Sequence, residues 1–251
     1  MHRTLALVSG VAMWLGCGAT ASRTAVPGAS RDAAVPAVRP GIEVLLADSI
    51  GLVRGRRVGL VSNQSGVDAR GVSDVDRLRA AGVNLVALFS PEHGFRGSAD
   101  PGAAVSSTRD SATGLPIYSL YGRTSAPTDS MLAGVDVMLI DLQDAGARYY
   151  TYLATSVNVM RSAAKRQMRV IMLDRPDPIG GAVQGNVLDT AYISAVGRLA
   201  VPMRHGMTLG ELARLANADL ALHADLVVVP AAGWRRSMAF DATGLRFVPP
   251  S

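Results

Sequence analysis

The chain has 251 residues, and its 49% hydrophobic and 18% charged content excludes a disordered protein and is typical of a folded one. The formal net charge is +5, with Lys165 as the only lysine. The arginines are scattered and form no basic run interleaved with aromatic residues, which argues against nucleic acid as a partner. Arginine also suits bidentate binding of carboxylates, which a substrate site can use.

Residues 1–21 have the pattern of a secretory signal peptide. An apolar run from Leu5 to Leu15 is too short to serve comfortably as a membrane anchor, and Ala19-Thr20-Ala21 fits an A-x-A cleavage site. Cys17, the only cysteine, has two interpretations: the lipidated cysteine of a bacterial lipoprotein, or an ordinary residue of a discarded leader. Both interpretations predict an exported protein of the periplasm or cell envelope without disulfides, and a lipid anchor at Cys17 is its only expected membrane contact.

Residues 22–40 are rich in Ala, Pro, Arg and Ser, which predicts a flexible linker before a domain at 41–251. Short apolar runs and amphipathic segments alternate in that domain, which predicts an α/β fold with a mostly parallel sheet and helices on both faces. The strand order cannot be derived from this pattern. The predicted strands cover 57–61, 84–89, 117–120, 135–140, 169–173 and 225–229, and the predicted helices cover 73–81, 149–167 and 208–218.

Polar clusters follow four of the predicted strands: SNQ at 62–64, SPEHGF at 90–95, DLQD at 141–144 and DRPDP at 174–178. The carboxyl ends of parallel strands lie along one edge of an open sheet, where ligands bind. Turn chemistry explains each cluster alone, because loops are rich in Asn, Asp, Pro and Gly. It explains the four together less well, so we expect them to converge on one site that includes Asn63, Gln64 and Gln143.

Glu92 is the strongest candidate for a catalytic group. It is one of three glutamates, and it follows a predicted strand within a turn framed by Pro91 and Gly94. A carboxyl group in such a turn can be partly withdrawn from water, as a general acid requires. Its neighbours His93 and Arg96 are predicted substrate contacts.

Glu211 and His205 have alternative interpretations. Thr208 and Glu211 fit a capping box at the start of a helix, which is favoured over a catalytic role for Glu211. His205 can bind a sugar hydroxyl, orient a carboxylate or be a buried structural residue. The sequence has no close metal-ligand pair, Walker loop or G-x-S-x-G elbow, so we expect neither a metal nor a cofactor.

A second dense group of polar residues precedes an aromatic run at 149–152, and its members are Asp141, Gln143, Asp144 and Arg148. Asp144 is near the predicted start of a helix, and Tyr150 either faces the core or stacks on a sugar ring. Arg148 is a candidate carboxylate clamp, as are Arg96 and Arg175.

Six segments together resemble one family. They are GLVSNQSGV (59–67), LFSPEHGFRG (88–97), TGLPIYSLYG (113–122), DVMLIDLQDAGARYYTYLAT (136–155), VIMLDRPDPIGG (170–181) and VPMRHGMTLGEL (201–212). They closely resemble the family formerly called DUF1343, whose characterised members are exo-β-N-acetylmuramidases of the NamZ type. The resemblance runs from about residue 41 to the last residue and keeps the motifs in order.

The resemblance implies a Rossmann-like domain, a smaller C-terminal domain and an active site in the cleft between them. It implies an exo-acting glycoside hydrolase that releases N-acetylmuramic acid from the non-reducing end of peptidoglycan fragments, with MurNAc-GlcNAc saccharides as substrates in cell-wall turnover. Two differences stand out: Asp177 replaces the family's usual Asn in DRPNP, and the chain stops at Ser251 where family members continue. We therefore expect the second domain to be largely missing.

The resemblance also makes Glu92 the general acid. Glycosidases commonly use a second carboxylate, at roughly 5–5.5 Å for retention or about 6.5–9.5 Å for inversion of configuration. The sequence offers Asp144, Asp174 and Glu211 for this second role and does not choose among them. An arginine is expected to bind the lactyl carboxylate of muramic acid, and the candidates are Arg96, Arg148, Arg175 and Arg204.

Two other functions fit the sequence. One is a metal-dependent amidase or esterase of the cell wall, which a chelator would inactivate. The other is a non-catalytic muropeptide-binding envelope lipoprotein, which would bind the sugar without forming a product.

Overall fold

The computed structural model describes residues 38–249, which belong to one structural unit. The predicted signal peptide and most of the predicted linker lie outside these residues. The described strands are β1 (Arg57–Ser62), β2 (Asn84–Ser90), β3 (Thr108–Arg109), β4 (Pro116–Ser119), β5 (Val137–Asp141), β6 (Arg169–Leu173), β7 (Gln184–Val187), β8 (Pro202–Arg204) and β9 (Leu226–Val229).

Seven strands form the main sheet in the order β3-β4-β2-β1-β5-β6-β9, and every pairing is parallel except that of β3 with β4. From β4 to β9 this is the order of a doubly wound Rossmann-like sheet. The direction of winding reverses between β1 and β5, so a crevice opens beyond the carboxyl ends of these two strands. β7 and β8 form a separate antiparallel pair.

Local sequence explains where two of the helices begin. The Ser73 hydroxyl accepts a hydrogen bond from the amide of Asp76, and a capping box formed by Thr208 and Glu211 starts the last helix. The described helices are α1 (Gly41–Asp48), α2 (Asp74–Ala80), α3 (Tyr152–Ala164) and α4 (Leu209–Asp219), with short 3₁₀ turns at Ile50–Leu52, Thr190–Tyr192 and Phe240–Thr243.

Two hydrophobic cores cover the two faces of the sheet. Because successive strand residues point to opposite faces, Leu139 packs with α1 and α2 while Met138 and Ile140 pack with α3 and α4. The predicted α/β fold with helices on both faces is therefore confirmed. Within residues 38–249, no helix is long and apolar enough to span a membrane.

The largest difference from the predicted elements is the length of α3. The helix was predicted at 149–167 but begins at Tyr152 and ends at Ala164. It begins late because the amide of Arg148 donates to the carbonyl of Met203, which holds the preceding residues against β8. It ends early because Gln167 adopts a left-handed backbone with φ of 52°. The sequence pattern also missed α1, β3 and the β7–β8 pair.

The packed structure includes residues that the sequence assigns to the linker. Val38 is 1% exposed, and Arg39 and Ala232 exchange two backbone hydrogen bonds of 2.9 Å each. Packing therefore begins before the predicted boundary at residue 41.

Candidate active site

Four polar loops follow the carboxyl ends of β1, β2, β5 and β6, and hydrogen bonds join them. The amide of Gln143 donates to Ser65 Oγ at 3.0 Å, and its side-chain Nε2 donates to the carbonyl of Pro176 at 3.0 Å. Thr151 Oγ1, at the start of α3, donates to Glu92 Oε2 at 2.8 Å. The four loops therefore lie next to one another at this edge of the sheet.

Glu92 is half-buried and contacts hydrogen-bond donors on both carboxylate oxygens. Oε2 accepts from Thr151 Oγ1, and Oε1 accepts from the amide of Gly102 at 3.1 Å. A hydrogen bond between the Tyr121 phenol and Glu92 raises the pKa of that phenol. These contacts fix the orientation of Glu92 at the edge of the sheet.

His93 shapes the loop that carries Glu92. Its backbone is left-handed, with φ of 69°, a conformation that is uncommon outside glycine and asparagine. Its Nδ1 lies 2.9 Å from the carbonyl of Ala99, and the Ala99 amide donates back to the carbonyl of His93. The imidazole therefore holds the turn closed through Nδ1, and Nε2 is the nitrogen that is left to meet a ligand.

Arg96 and Gln64 line a cleft that runs between the β1 and β2 loops. The Arg96 side chain is 64% exposed, and its guanidinium bonds the buried carboxylate of Asp110 at 2.5 Å. Gln64 Nε2 donates to the carbonyl of Pro249 at 3.0 Å. A Cβ at Gly97 would lie 2.2 Å from the Gln64 side chain, so the glycine lets the two loops approach.

Asn63 joins the β1 loop to α3. Its Nδ2 donates to the Tyr152 hydroxyl at 2.7 Å, and its Oδ1 accepts from Ser65 Oγ at 2.6 Å. Burial raises the pKa of Tyr152, so this phenol stays protonated. Tyr150 is half-buried and meets the Tyr152 ring edge-on at 5.2 Å between centroids. Of the two tyrosines, Tyr150 is the one with exposed ring surface.

A buried group of acids and a histidine lies behind the β5 loop. Asp144 Oδ2 accepts from the amide of Gly146 at 2.9 Å and lies 3.5 Å from His205 Nε2. The amide of Met207 donates to His205 Nδ1 at 3.2 Å, which places the proton of the neutral ring on Nε2, facing Asp144. Asp177 is 2% exposed, and burial raises its pKa to about 6.

Arg175 is enclosed by two acids and does not itself line the cleft. It pairs with Asp141 Oδ1, lies 3.8 Å from Asp74 Oδ1 and donates to the carbonyl of Val67 at 2.8 Å. Burial raises the pKa of Asp74 well above its usual range and raises that of Asp141. The contacts of Arg175 are those of a structural ion cluster.

Asp174 and Glu211 are both held at the start of α4. Asp174 accepts from Thr208 Oγ1 at 2.6 Å and from the amide of Gly210 at 2.9 Å, and burial raises its pKa to about 6. Glu211 Oε2 accepts from the amide of Thr208 at 3.0 Å, and its Oε1 pairs with Arg236. The predicted capping box is confirmed.

The two remaining candidate arginines also contact the protein itself. Arg148 NH1 donates to the carbonyls of Asn186 at 2.7 Å and Val201 at 2.8 Å. Arg204 NH1 donates to Gln184 Oε1 at 3.1 Å. Both guanidinium groups hold the β7–β8 pair in place. Arg96 is the most exposed of the four candidate arginines.

Several residues of the site were not predicted from the sequence. They are Asp74, Tyr121, Thr151, Tyr152 and Asp177. Asp177 lies in the polar cluster DRPDP and Tyr121 in the segment TGLPIYSLYG, and these two motifs are the signals that could have found them. Thr151 and Tyr152 lie inside the helix predicted at 149–167, and the sequence gives no signal that they contact Glu92 and Asn63. Among residues 38–249, no three His, Cys, Asp or Glu side chains are grouped to hold a metal ion.

The motifs of the site lie within a stretch of the chain that matches a known protein family. The sequence model of one family, described as exo-β-N-acetylmuramidase NamZ, N-terminal, matches residues 58–251. The chain belongs to this NamZ family. It is 42% identical over 255 residues to the peptidoglycan β-N-acetylmuramidase NamZ of Bacillus subtilis (strain 168), covering 100% of this chain and 61% of that protein.

Solved structures of two DUF1343 family proteins from Bacteroides fragilis NCTC 9343 have the same fold as this NamZ family member. One is 44% identical with a TM-score of 0.78, over 85% of this chain and 55% of the other. The second is 36% identical with a TM-score of 0.70, over 80% of this chain and 54% of the other. The chain therefore spans between about half and two thirds of the length of these relatives.

Replacing Asp177 by asparagine is expected to stabilise this NamZ family member at neutral pH. Burial raises the pKa of Asp177 to about 6, with Asp144, His205 and Arg204 as its charged neighbours. The folded state thus binds more protons than the unfolded state between pH 4 and 6, and stability is lost as pH rises through that window. Asparagine does not ionise, so Asp177→Asn should gain about 1–2 kcal/mol relative to wild type between pH 4.5 and pH 8.

Urea unfolding at the two pH values measures this difference. Asp129→Asn is the matched control, because the Asp129 side chain is 90% exposed and its variant should change stability by less than about 0.5 kcal/mol at either pH. An equal effect of Asp177→Asn at pH 4.5 and pH 8 would contradict the prediction.

Proposed function

We propose that the protein is an exo-β-N-acetylmuramidase that releases N-acetylmuramic acid from the non-reducing end of peptidoglycan fragments. One observation carries the proposal: a half-buried glutamate, Glu92, is held by donors on both oxygens at the carboxyl edge of a Rossmann-like sheet. The relative from Bacillus subtilis, named a peptidoglycan β-N-acetylmuramidase, supports the choice of substrate. Release of this sugar fits a role in cell-wall turnover.

The proposed role of Glu92 is general acid. Hydrolysis of a glycosidic bond requires a proton on the leaving oxygen as the bond to the anomeric carbon breaks, and a carboxylic acid at the edge of the cleft can supply it. Hydrogen bonds from Thr151 and Gly102 hold the Glu92 carboxyl group in one orientation before a substrate binds.

Asp144 is the proposed second carboxylate. Asp144 lies in the loop that leads from β5 to Thr151, whose hydroxyl bonds Glu92. Asp174 and Glu211 are instead bonded to the start of α4. Their structural contacts make both weaker candidates than they are in the sequence alone.

Arg96 is the proposed partner of the lactyl carboxylate. It lies four residues from Glu92 in the same loop, and its side chain is 64% exposed. Only part of its five-donor guanidinium is used by Asp110, so a substrate carboxylate can bind the rest. His93, Gln64 and Tyr150 are proposed to contact the sugar.

The test is hydrolysis of a chromogenic β-N-acetylmuramide by the purified protein, compared with the matching β-N-acetylglucosaminide, which lacks the lactyl group. The expected result is release from the muramide alone. Equal release from both sugars would overturn the muramic acid specificity. Calorimetric binding of the muramide without any product would favour the non-catalytic binding protein.

Arg96→Ala is expected to raise KM for the muramide about tenfold, because a charge-assisted hydrogen-bonded pair with the lactyl carboxylate is lost. The value of kcat should change by less than about threefold, since Arg96 is not proposed to take part in proton transfer. Arg70→Ala is the control, because Arg70 is an exposed arginine outside the cleft. An unchanged KM in the Arg96 variant would remove this residue from substrate recognition.

Export is proposed from the sequence alone, since residues 1–21 lie outside the described part of the chain. Cell fractionation tests it, and a cytoplasmic protein would contradict it. A Cys17→Ser variant that leaves the membrane fraction would identify the lipid anchor, whereas the same distribution as wild type would favour an ordinary leader.

A further inference from the structure

The start of α3 differs from the starts of α2 and α4. In α2 and α4 the N-cap hydroxyl of Ser73 or Thr208 accepts a hydrogen bond from the amide three residues later. At α3 the N-cap residue is Thr151, and in the part of the chain that the structure describes its side chain accepts no such bond. The Thr151 hydroxyl instead donates to Glu92 Oε2 at 2.8 Å.

This arrangement gives up a favourable local contact. Threonine is preferred at N-cap positions because its hydroxyl satisfies a backbone amide that the helix leaves without a partner. The Thr151 backbone is helical, with φ of −77° and ψ of −10°, rather than in the extended region of Ser73 and Thr208. The Thr151 hydroxyl therefore points away from the helix amides and bonds Glu92 instead.

The two oxygens of Glu92 have different kinds of partner. Oε1 accepts from the amide of Gly102, and a backbone amide can only donate. Oε2 contacts the hydroxyl of Thr151, which can either donate or accept. A proton on Oε2 would face an oxygen that can turn to receive it. The Tyr121 phenol is a further hydrogen-bond partner of Glu92. The Thr151 hydroxyl can therefore bond Glu92 in both its protonated and its ionised form.

We infer that Thr151 is a positioning residue for Glu92, and that its hydroxyl reverses direction as Glu92 gains and loses its proton. This inference rests on the proposed function of Glu92 as general acid. In the step itself, the carboxyl proton of Glu92 passes to the glycosidic oxygen while the bond from that oxygen to the anomeric carbon breaks. The leaving alcohol keeps the proton, and the Thr151 hydroxyl donates to the new carboxylate.

Three variants separate positioning from a structural role. Thr151→Val keeps the shape of the side chain but removes the hydroxyl, and it should lower kcat about tenfold with KM within about twofold of wild type. Thr151→Ser keeps the hydroxyl and should retain at least about a third of the wild-type kcat. Asp189→Ala removes the cap of the 3₁₀ turn at Thr190–Tyr192, outside the cleft, and should lower the melting temperature by about 2–4 °C without changing kcat.

The pH dependence of kcat supplies a readout that loss of stability alone would not move. The limb of the pH profile that reports the ionisation of Glu92 should shift in Thr151→Val and stay in place in Thr151→Ser and Asp189→Ala. Wild-type kcat and an unshifted limb in Thr151→Val would overturn the inference. A Thr151→Ser protein as impaired as Thr151→Val would also overturn it, because the hydroxyl would then be irrelevant.

A second measurement keeps this test separate from that of the proposed function. The ¹³C NMR signal of the Glu92 side-chain carboxyl, assigned by its loss in Glu92→Gln, reports the hydrogen bond whether or not the protein turns over the muramide. It should move in Thr151→Val and not in Thr151→Ser. An unshifted signal in Thr151→Val would overturn the positioning role. A shifted signal in Thr151→Val, together with a wild-type protein that does not hydrolyse the muramide, would overturn only the proposed reaction.

Discussion

Glu92→Gln is expected to lower kcat for muramide hydrolysis by at least about 100-fold, within the range that general acid catalysis contributes. Glutamine has the same shape and can still accept from the Gly102 amide, so the loop should keep its structure. The melting temperature should therefore stay within roughly 3 °C of wild type. Steady-state kinetics on the chromogenic muramide, together with a thermal melt, measures both quantities.

Asp174→Asn is a suitable comparison for this variant, because Asp174 is bonded to the start of α4 and not to the Glu92 loop. It should affect stability more than kcat. Asp144→Asn should instead reduce kcat strongly if Asp144 is the second carboxylate. Near wild-type turnover by Glu92→Gln would remove Glu92 as the acid, whatever the other two variants do.

Arg175→Met should destabilise the fold by about 3–5 kcal/mol at pH 7, the loss typical when one partner of a buried ion pair is removed. Methionine fills a similar volume, but Asp141 is then left in the core without its cation. Burial raises the pKa of Asp141 and of Asp74, so the fold can relieve the charge only by taking up protons. The loss, measured by urea unfolding, should therefore shrink as pH falls.

Arg169→Met is the matched control, at the start of the strand that Arg175 follows. Arg169 bonds Asp225 at 2.8 Å, but both side chains are about half exposed, so the expected loss is below about 1 kcal/mol. A loss of the same small size in Arg175→Met would contradict the interpretation of Arg175 as the cation of a buried structural cluster.

The position of the site could be predicted from the sequence because it depends on regular patterns. Apolar strands followed by polar clusters predict a common edge of a parallel sheet, and the structure joins those clusters by hydrogen bonds. Glu92 was found because a carboxylate after a strand, within a turn rich in Pro and Gly, has few structural uses. The capping box of α4 was equally predictable, because all of its residues lie within one turn.

Partners that are distant in the sequence could not be predicted. Arg175 has the same chemistry as a substrate clamp, and only the fold shows that Asp74 and Asp141, from two other parts of the chain, enclose it. The contact of Thr151 with Glu92 could not be predicted either, since the direction of its hydroxyl depends on where α3 begins. That start is set by pairing of the preceding residues with β8, about 50 residues later in the chain.

The pairing of β1 with β5 determines how late in synthesis the centre of the sheet can form. The Arg57 amide at the start of β1 bonds Asp136, 79 residues later, so the centre of the sheet closes only after a long stretch has been synthesised. Glu92 leaves the ribosome well before Thr151, and His205 follows later still. A nascent chain that ends before α3 carries the SPEHGF motif without the Thr151 hydroxyl that bonds Glu92, so the geometry of the candidate site is completed late in synthesis.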